Sequence, residues 1–571
     1  MGRLLRSWFP LPADYGRSGI RGDVLAGLTL GVVLIPQSMA YGLLAGVPAV
    51  YGLYAALVPL LVYTLLASTP HVSVGPTALA SLLCLSGLGA IAEPGSAEYI
   101  AYAVLLAGLT GLIQFTFGLL RMGGLVSLLS RPVLSGFVSA AAVLIVASQL
   151  KPILGLDMPR TAYLYDTVVE VFRSLGSFHW PTAALGLSTL AVLLLGKRYL
   201  PRAPVMLTWI VVATLLVYLL RLDLAGIDVV GEIPDGLPPV TLPVFDAATW
   251  LSLLPVALVL ALISFVETLS IGNSFAAHHG YYRVQPNREL IALGLSKVAG
   301  SLFSAIPTSA SFSRSAVVEA GGGRGPLSGA VAFVLLGAVL LYFTPLFYYL
   351  PLTMLAAIII FSVGKLFDLE EMKRLRKLAP REFAVLLVTF LFTLFAGLQY
   401  GIAGGVFLSL IFVFLRAARP HLAELGRIPG TNAFRNVNRF EDAEVESDLL
   451  IVRFDAELYF GNAEFFGDRI LAMAEAKGDC LRAVIIDAHT INDLDTTGLH
   501  ALEQLFESLR SRKIDLYLSG VIGPVRDILF RSGLMERMGA ESQFLSIQDA
   551  IRYHRERGGQ RHWDLPAVQH D

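Results

Sequence analysis

The sequence predicts a polytopic α-helical membrane domain followed by a small soluble α/β domain, and three observations predict it. First, 55% of the 571 residues are hydrophobic and only 15% are charged, and the mean hydropathy is +0.66. A soluble fold cannot hide that much apolar surface, so a bilayer is the solvent for most of the chain. Second, from about Val24 to Ala418 one apolar run follows another, many of them near the roughly 20 residues that a helix needs to cross hydrocarbon. Third, the pattern changes after Arg419: LLIVRF (449–454), AVIIDA (483–488) and IDLYLSG (514–520) alternate with amphipathic stretches such as GLHALEQLFESLRSR. Short buried strands between amphipathic helices are the mark of an α/β domain.

Residues 1–22 are positively charged but lack the apolar run and small-residue cleavage site of a signal peptide, so they read as a cytoplasmic interfacial segment. The membrane domain is expected over 23–418, with clear runs at 52–68, 99–120, 183–196, 203–220, 251–277, 326–345, 382–398 and 400–416. Two segments, 71–90 and 305–320, are short or interrupted by Gly and Pro. Irregular backbone survives at membrane depth only where protein or a water-filled cavity covers it, so these two are the informative ones.

Counting gives a dozen to fourteen segments, and an even number leaves both termini on one side. Basic residues cluster at Arg3, Arg6, Arg17 and Arg21; Arg121; Lys197, Arg198 and Arg202; Arg283 and Arg288; Arg324; and Lys365, Lys373, Arg374, Arg376, Lys377 and Arg381. A fourteen-segment arrangement puts all of these loops in the cytoplasm, as the positive-inside rule requires, and both termini with them. The intervening loops are uncharged or acidic, as in 223–246 with Asp223, Asp228, Glu232, Asp235 and Asp246; the loop at 151–180 is mixed, with Lys151, Arg160 and Arg173. Residues 419–437 then read as a linker, 438–557 as the α/β domain and 558–571 as a polar, flexible tail.

Several function classes drop out. A formal net charge of -1 gives no reason to expect a nucleic-acid partner. Cys84 and Cys480 lie too far apart in chain and character for a disulfide framework or a cysteine metal site. There is no nucleophile with a base, no metal-spaced His/Cys set and no Walker A motif, so neither an enzyme nor a resident metal or other cofactor is expected. His278-His279 sits at a helix end, solvated or interfacial.

At GDVLAGLTLGVVLIPQSMAYGLLAGVPAVYGLYAALVPLLVYTLLASTPHVSVGPTALASLL (22–83) and at SFSRSAVVEAGGGRGPLSG (311–329) the chain closely resembles the SulP, or sulfate permease, family of anion transporters. VIIDAHTINDLDTTGLHAL (484–502) resembles a STAS domain, the module these transporters carry at the C-terminal end. The resemblance implies fourteen segments in two inverted seven-segment repeats, a core domain moving against a gate domain, and a homodimer in the inner (cytoplasmic) membrane. The two interrupted segments would take third place in each half, and RPVLSGF (131–137) and LPLTMLAAI (350–358) fifth place.

A small anion at the bilayer midplane needs positive potential, which the N-terminus of a half-helix supplies through its free N–H groups and dipole. Gly75-Pro76 and Pro307-Thr308-Ser309 are suitable starts, since Pro is favoured at the first helical position. The resemblance implies that Ser309, Ala310, Ser311, Phe312, Ser313 and Arg314 lie at the substrate pocket. Hydroxyls and a guanidinium are suitable donors to an oxyanion, although a serine can equally bond a carbonyl one turn back and Arg314 can pair a carboxylate. Gln37 and Tyr41, four apart on the first segment, share a face and can offer amide and hydroxyl to the anion or else pack, and the resemblance adds Thr77, just after the first half-helix start, as a further substrate-binding position.

Glu267 is the only carboxylate of its run, with no Lys or Arg within ten residues on either side. Burial disfavours its charged form, which suits a proton-coupling site; a structural hydrogen bond is the alternative. Sodium-driven relatives have a hydroxyl one turn after the carboxylate, where this chain has Ile271, so the proton is the expected coupling ion, with Thr268 and Ser270 keeping a sodium site open. Thr496 matches the hydroxyl phosphorylated in bacterial STAS regulators, or else caps a helix with Asp495. The expected function is sulfate:proton symport by alternating access. The alternatives are a bicarbonate or dicarboxylate transporter, an anion exchanger, an uncoupled channel, and a membrane signalling protein whose STAS domain binds cytoplasmic regulators.

Overall fold

The computed structural model describes residues 11–12, 15–124, 130–159, 164–200, 205–242, 246–364 and 366–556. Arg3, Arg6, Arg160, Arg202, Lys365 and the expected tail 558–571 lie outside the described residues. The chain divides into two compact units, Met1–Ser409 and Leu410–Asp571.

The first unit is helical. In order it contains α1 (Arg17–Leu44), α2 (Ala49–Leu66), β1 (Val74–Gly75), α3 (Ala78–Leu88), α4 (Ala97–Leu119), α5 (Arg131–Ser148), α6 (Leu150–Leu154), α7 (Leu164–Arg173), α8 (Trp180–Tyr199) and α9 (Val205–Leu220). The second half has α10 (Ala247–His279), α11 (Pro286–Ser301), β2 (Ser309–Ala310), α12 (Phe312–Ala320), α13 (Leu327–Tyr342), α14 (Leu352–Val363), α15 (Leu369–Leu378), α16 (Pro380–Ala396) and α17 (Leu398–Ala418), the last running across the division. Among the described residues seven helices are long and apolar enough to cross a membrane.

Several boundaries differ from the sequence reading for physical reasons. Helix α1 starts at Arg17, inside the segment read as interfacial. The two half-helices start at Ala78 and Phe312, after the Gly75-Pro76 and Pro307-Thr308-Ser309 positions, because the residues there are extended and paired with each other. The mixed loop at 151–180 folds into α6 and α7, and α7 leaves Tyr165, Val168, Val169 and Phe172 exposed. Helix α11 was not among the clear apolar runs because Arg288, Glu289 and Lys297 interrupt its hydropathy.

Helices in lipid gain little from mutual hydrophobicity, so close backbone approach and hydrogen bonds hold them together. Helices α4 and α11 show both. A Cβ on Gly111 would lie 2.7 Å from the Gly294 carbonyl, and one on Gly294 would lie 2.5 Å from the Phe115 backbone nitrogen, so only glycine permits this crossing. Glu289, fully buried, anchors the start of α11 to the end of α2. Its carboxylate accepts from the Tyr63 hydroxyl at 2.6 Å, from the Ser68 backbone N–H at 2.8 Å and from the Ser68 hydroxyl at 2.5 Å. Asp23, also fully buried, accepts from the backbone N–H groups of Arg324 (2.6 Å) and Gly325 (3.0 Å), which ties α1 to the turn between α12 and α13.

The second unit holds β3 (Leu422–Arg427), β4 (Phe434–Asn436), β5 (Leu449–Phe454), α18 (Ala463–Lys477), β6 (Ala483–Asp487), α19 (Thr496–Ser511), β7 (Asp515–Ser519), α20 (Gly523–Arg531), α21 (Leu534–Met538), β8 (Gln543–Phe544) and α22 (Ile547–Glu556). They form one six-stranded sheet in the order β4-β3-β5-β6-β7-β8, antiparallel at the β4 end and parallel from β5 onward. One face buries Val452, Ile486 and Leu518 against α18 and α19; the other buries Ile451, Ile485 and Tyr517 against Ile547 and Ile551 of α22. Residues 419–437 are therefore not a linker: β3 pairs with β5 and belongs to the sheet.

Replacing Glu289 with Ala removes the acceptor of two Ser68 donors and of the Tyr63 hydroxyl, which keeps only Thr69 as a partner. The expected cost is about 2–3 kcal/mol, read as a lower thermal midpoint of the detergent-purified protein. Glu289→Gln, which keeps an acceptor, should lose less; equal midpoints for wild type and the Ala variant would contradict the anchoring role.

Candidate functional site

The two interrupted segments meet. Strands β1 and β2 pair antiparallel, Val74 opposite Ala310 and Gly75 opposite Ser309. The Ser311 N–H donates to the Ser73 carbonyl at 3.0 Å, and the Ser73 N–H donates to the Ser315 hydroxyl at 3.0 Å. Helices α3 and α12 begin within three residues of this crossing, so their N-termini are brought together and the antiparallel strands send them in opposite directions.

Thr77 is the N-cap of α3 and accepts from the Ala80 N–H at 3.4 Å, a long bond that leaves its own hydroxyl proton available. Ser311 is the N-cap of α12 and makes no side-chain cap bond. The first N–H groups of α12 therefore have no intrahelical or capping acceptor, which is the arrangement that binds anions at helix starts. The hydroxyls of Ser311 and Ser313 lie 3.2 Å apart.

Arg314 is fully buried, and its Nη1 donates to the Pro76 carbonyl at 2.9 Å, clamping α12 to the strand before α3. Its Nε and Nη2 have no hydrogen-bond partner. Among the described residues no carboxylate forms an ion pair with it. A Cβ on Gly75 would come within 3.3 Å of Nη2, so glycine keeps that edge of the guanidinium clear. Buried donors without acceptors cost free energy, and a bound oxyanion would satisfy both.

Leu34, Gln37 and Tyr41 share one face of α1, and a Cβ on Gly75 would lie 3.6 Å from Leu34, so this face packs on the crossing. Gln37 is buried and its Oε1 has no partner. The Tyr41 hydroxyl lies near Ser362 of α14 and within electrostatic reach of Arg314. Phe312 is half-exposed and stacks on Phe275 of α10 at 5.6 Å, while Ala310 offers only backbone.

Glu267 is not isolated in space. Its Oε2 accepts from the Ser309 hydroxyl at 2.5 Å, and both Lys297 and Arg314 lie within its electrostatic reach. Ser309 thus spends its proton on Glu267. The residue is partly exposed, and with Ser270 and Ser274 it forms a polar stripe toward the C-terminal end of α10. Lys297 escaped the sequence reading. It is 1% exposed, and its Nζ donates to Gln114 Oε1 at 2.7 Å and to the Ser264 hydroxyl at 3.3 Å. The signal was a lysine inside the apolar stretch LIALGLSKVAGSLF between two membrane segments, and a cation in such a place is a functional candidate by default.

Thr268 donates to the Ser264 carbonyl at 2.6 Å and Ile271 is buried. Among the described residues no group of three or more His, Cys, Asp or Glu side chains is placed to hold a metal ion. His279 pairs with Glu319 at 2.9 Å and stacks on His71 at 4.4 Å, whereas His278 turns to the Ser274 carbonyl, so the two histidines have separate partners. In the second unit the cap of α19 is Asp495 rather than Thr496. Asp495 accepts from the Gly498 N–H at 2.7 Å and the Phe460 N–H at 2.9 Å, and Thr496 is exposed in the first helical turn. Outside the membrane helices Asp455 is held below the usual carboxylate range: burial works against this, and hydrogen bonds from Arg453 and His421 outweigh it.

A family model described as the sulfate permease family matches residues 20–389, and one described as the STAS domain matches 441–550. The chain is 36% identical over 548 residues to the chloroplastic sulfate transporter 4.1 of Arabidopsis thaliana, covering 93% of this chain and 79% of that one. It is 34% identical over 544 residues to a probable sulfate transporter of Mycobacterium tuberculosis, covering 95% and 97%. The solved structure of the murine Solute Carrier 26 family member A9 anion transporter in the inward-facing state superposes with a TM-score of 0.88 at 26% identity, over 97% of this chain and 95% of that one.

Arg314→Ala should weaken anion binding by about tenfold or more, since a charge-assisted bond is worth roughly 1.5–3 kcal/mol. Isothermal titration or competition binding on the folded variant checks this, and wild-type affinity there would remove Arg314 from the site.

Proposed function

Because the chain belongs to the sulfate permease family of membrane transporters, we propose that it is a secondary active transporter that carries sulfate together with a proton. In this reading fourteen segments form two inverted repeats, the protein works as a homodimer in the cytoplasmic membrane with both termini inside, and α3 and α12 hold the anion. The observation that carries the proposal is the buried Arg314 guanidinium, two of whose nitrogens lack acceptors beside an uncapped helix start. The names of the relatives, sulfate transporters in a plant and a bacterium, favour sulfate over the other oxyanions such a cradle would suit.

Coupling follows from the Glu267–Ser309 contact. While Glu267 is charged it holds the Ser309 hydroxyl proton and opposes an anion at Arg314. A proton on Glu267 removes the negative charge and makes the carboxyl a donor in its own right. Ser309 is then free to turn its hydroxyl toward the anion. Linkage is reciprocal, so the anion must favour protonation as much as protonation favours the anion. The Glu267–Ser270–Ser274 stripe supplies access from the C-terminal end of α10.

The STAS domain is assigned a regulatory or assembly role, with the exposed Thr496 as a candidate phosphorylation site. Removing residues after Pro420, which takes the whole sheet, should leave anion binding intact; a folded truncation that binds nothing would make the domain part of the site.

In proteoliposomes an inward proton gradient should accelerate labelled sulfate uptake, and a sodium gradient should not. Glu267→Gln, which mimics the protonated form, should keep sulfate binding within a few-fold and lose the acceleration. A Gln variant that still follows the proton gradient, or wild-type uptake that follows sodium, would reject proton coupling at this residue.

A further inference from the structure

Glu267 stands among two buried cations, and that count has a consequence for the cargo. Arg314 and Lys297 are almost wholly buried, at 0% and 1% exposure, and both lie within electrostatic reach of the Glu267 carboxylate. Arg314 comes from α12 and Lys297 from α11, and the Lys297 ammonium reaches α10 at Ser264, one turn before Glu267. Every polar group that touches the Lys297 ammonium is neutral: Gln114 Oε1 at 2.7 Å and the Ser264 hydroxyl at 3.3 Å, with Gln114 itself held by the Ala261 carbonyl at 2.8 Å. The other buried ionisable group of α11, Glu289, is two turns away and is occupied by Tyr63 and Ser68. Glu267 is therefore the counter-charge that Lys297 and Arg314 share.

We infer that Lys297, whose buried ammonium needs Glu267 or a bound anion as counter-charge, is the second cation of the anion site and that it sets the charge class of the cargo, favouring dianions over monoanions. With Glu267 ionised, the three groups leave one positive charge in a medium that penalises unpaired charge. A proton on Glu267 leaves two, an arrangement that is costly when the site is empty and balanced when a dianion binds. The proton and the dianion then arrive together. A monoanion leaves one charge uncompensated, so it binds the protonated site less well. Without Lys297 the protonated site carries a single positive charge, from Arg314, and suits a monoanion. Lys297 does not touch the anion in this scheme; it determines specificity through the field it adds at Glu267 and Arg314. The inference rests on the proposed placement of the anion at Arg314 and of the proton at Glu267.

The test is competition against labelled sulfate in the purified full-length protein, with sulfate, selenate and oxalate as dianions and nitrate, chloride and bicarbonate as monoanions. Wild type should favour the dianions. Lys297→Met and Lys297→Gln should lower the ratio of dianion to monoanion affinity by about tenfold or more, whereas Lys297→Arg should keep it. Gln retains hydrogen bonding to Gln114 and Ser264, so it serves if Met disrupts packing. A purely structural role would lower both affinities together and leave the ratio unchanged. Neutral variants that fold and keep the wild-type ratio overturn the inference, as does a wild type that prefers monoanions. A wild type that carries sulfate without any response to protons would instead reject the proposed coupling, while the ratio still reports on Lys297.

Discussion

The site depends on a crossing of four residues. Val74 and Gly75 pair with Ala310 and Ser309, and this pairing brings two helix starts together inside an apolar unit. Each strand interrupts its segment, and each interruption would leave backbone polar groups bare in hydrocarbon if the other did not satisfy them. The pairing thus removes the cost of two broken helices at once. It leaves over the N–H groups of α12 and the Nε and Nη2 donors of a guanidinium, and these are the groups an anion can use.

Surrounding contacts make that crossing rigid. Arg314 reaches back across it to Pro76, Ser315 accepts from Ser73, and the apolar face of α1 closes over Gly75. Behind it, α4 and α11 approach through Gly111 and Gly294 closely enough for Lys297 to reach Gln114. A small-residue contact made for packing therefore also brings a buried lysine to Ser264, one turn before Glu267. Glu289, Tyr63 and Ser68 fix the far end of the same helix, so α11 is held at both ends by polar contacts in an otherwise apolar unit.

Two kinds of buried charge are present, and their partners tell them apart. Glu289 and Asp23 have their acceptor capacity filled by several donors each, the pattern of a structural anchor. Glu267 has one hydrogen-bond donor, partial exposure and two cations nearby, and Arg314 has donors left over. Unfilled capacity next to an accessible path is what a site that gains and loses ions requires.

The sequence by itself determined the membrane unit, the two interrupted segments, the motif that ends in Arg314 and the three central strands of the α/β domain. All of these are local: run length, Gly and Pro at membrane depth, and alternating buried residues are legible within a window of about twenty residues. Tertiary structure decided how each polar group is used. Ser309 looks like a free donor in the sequence and is committed to Glu267, 42 residues away; Lys297 looks like one charge among three and proves to be bonded to Gln114, 183 residues away. The stretch 422–427 looks like a linker because it is short and polar at its edges, and its strand character comes from pairing with β5. A hydrogen bond or a field between distant segments leaves no periodicity in the chain, so only the fold could assign these partners.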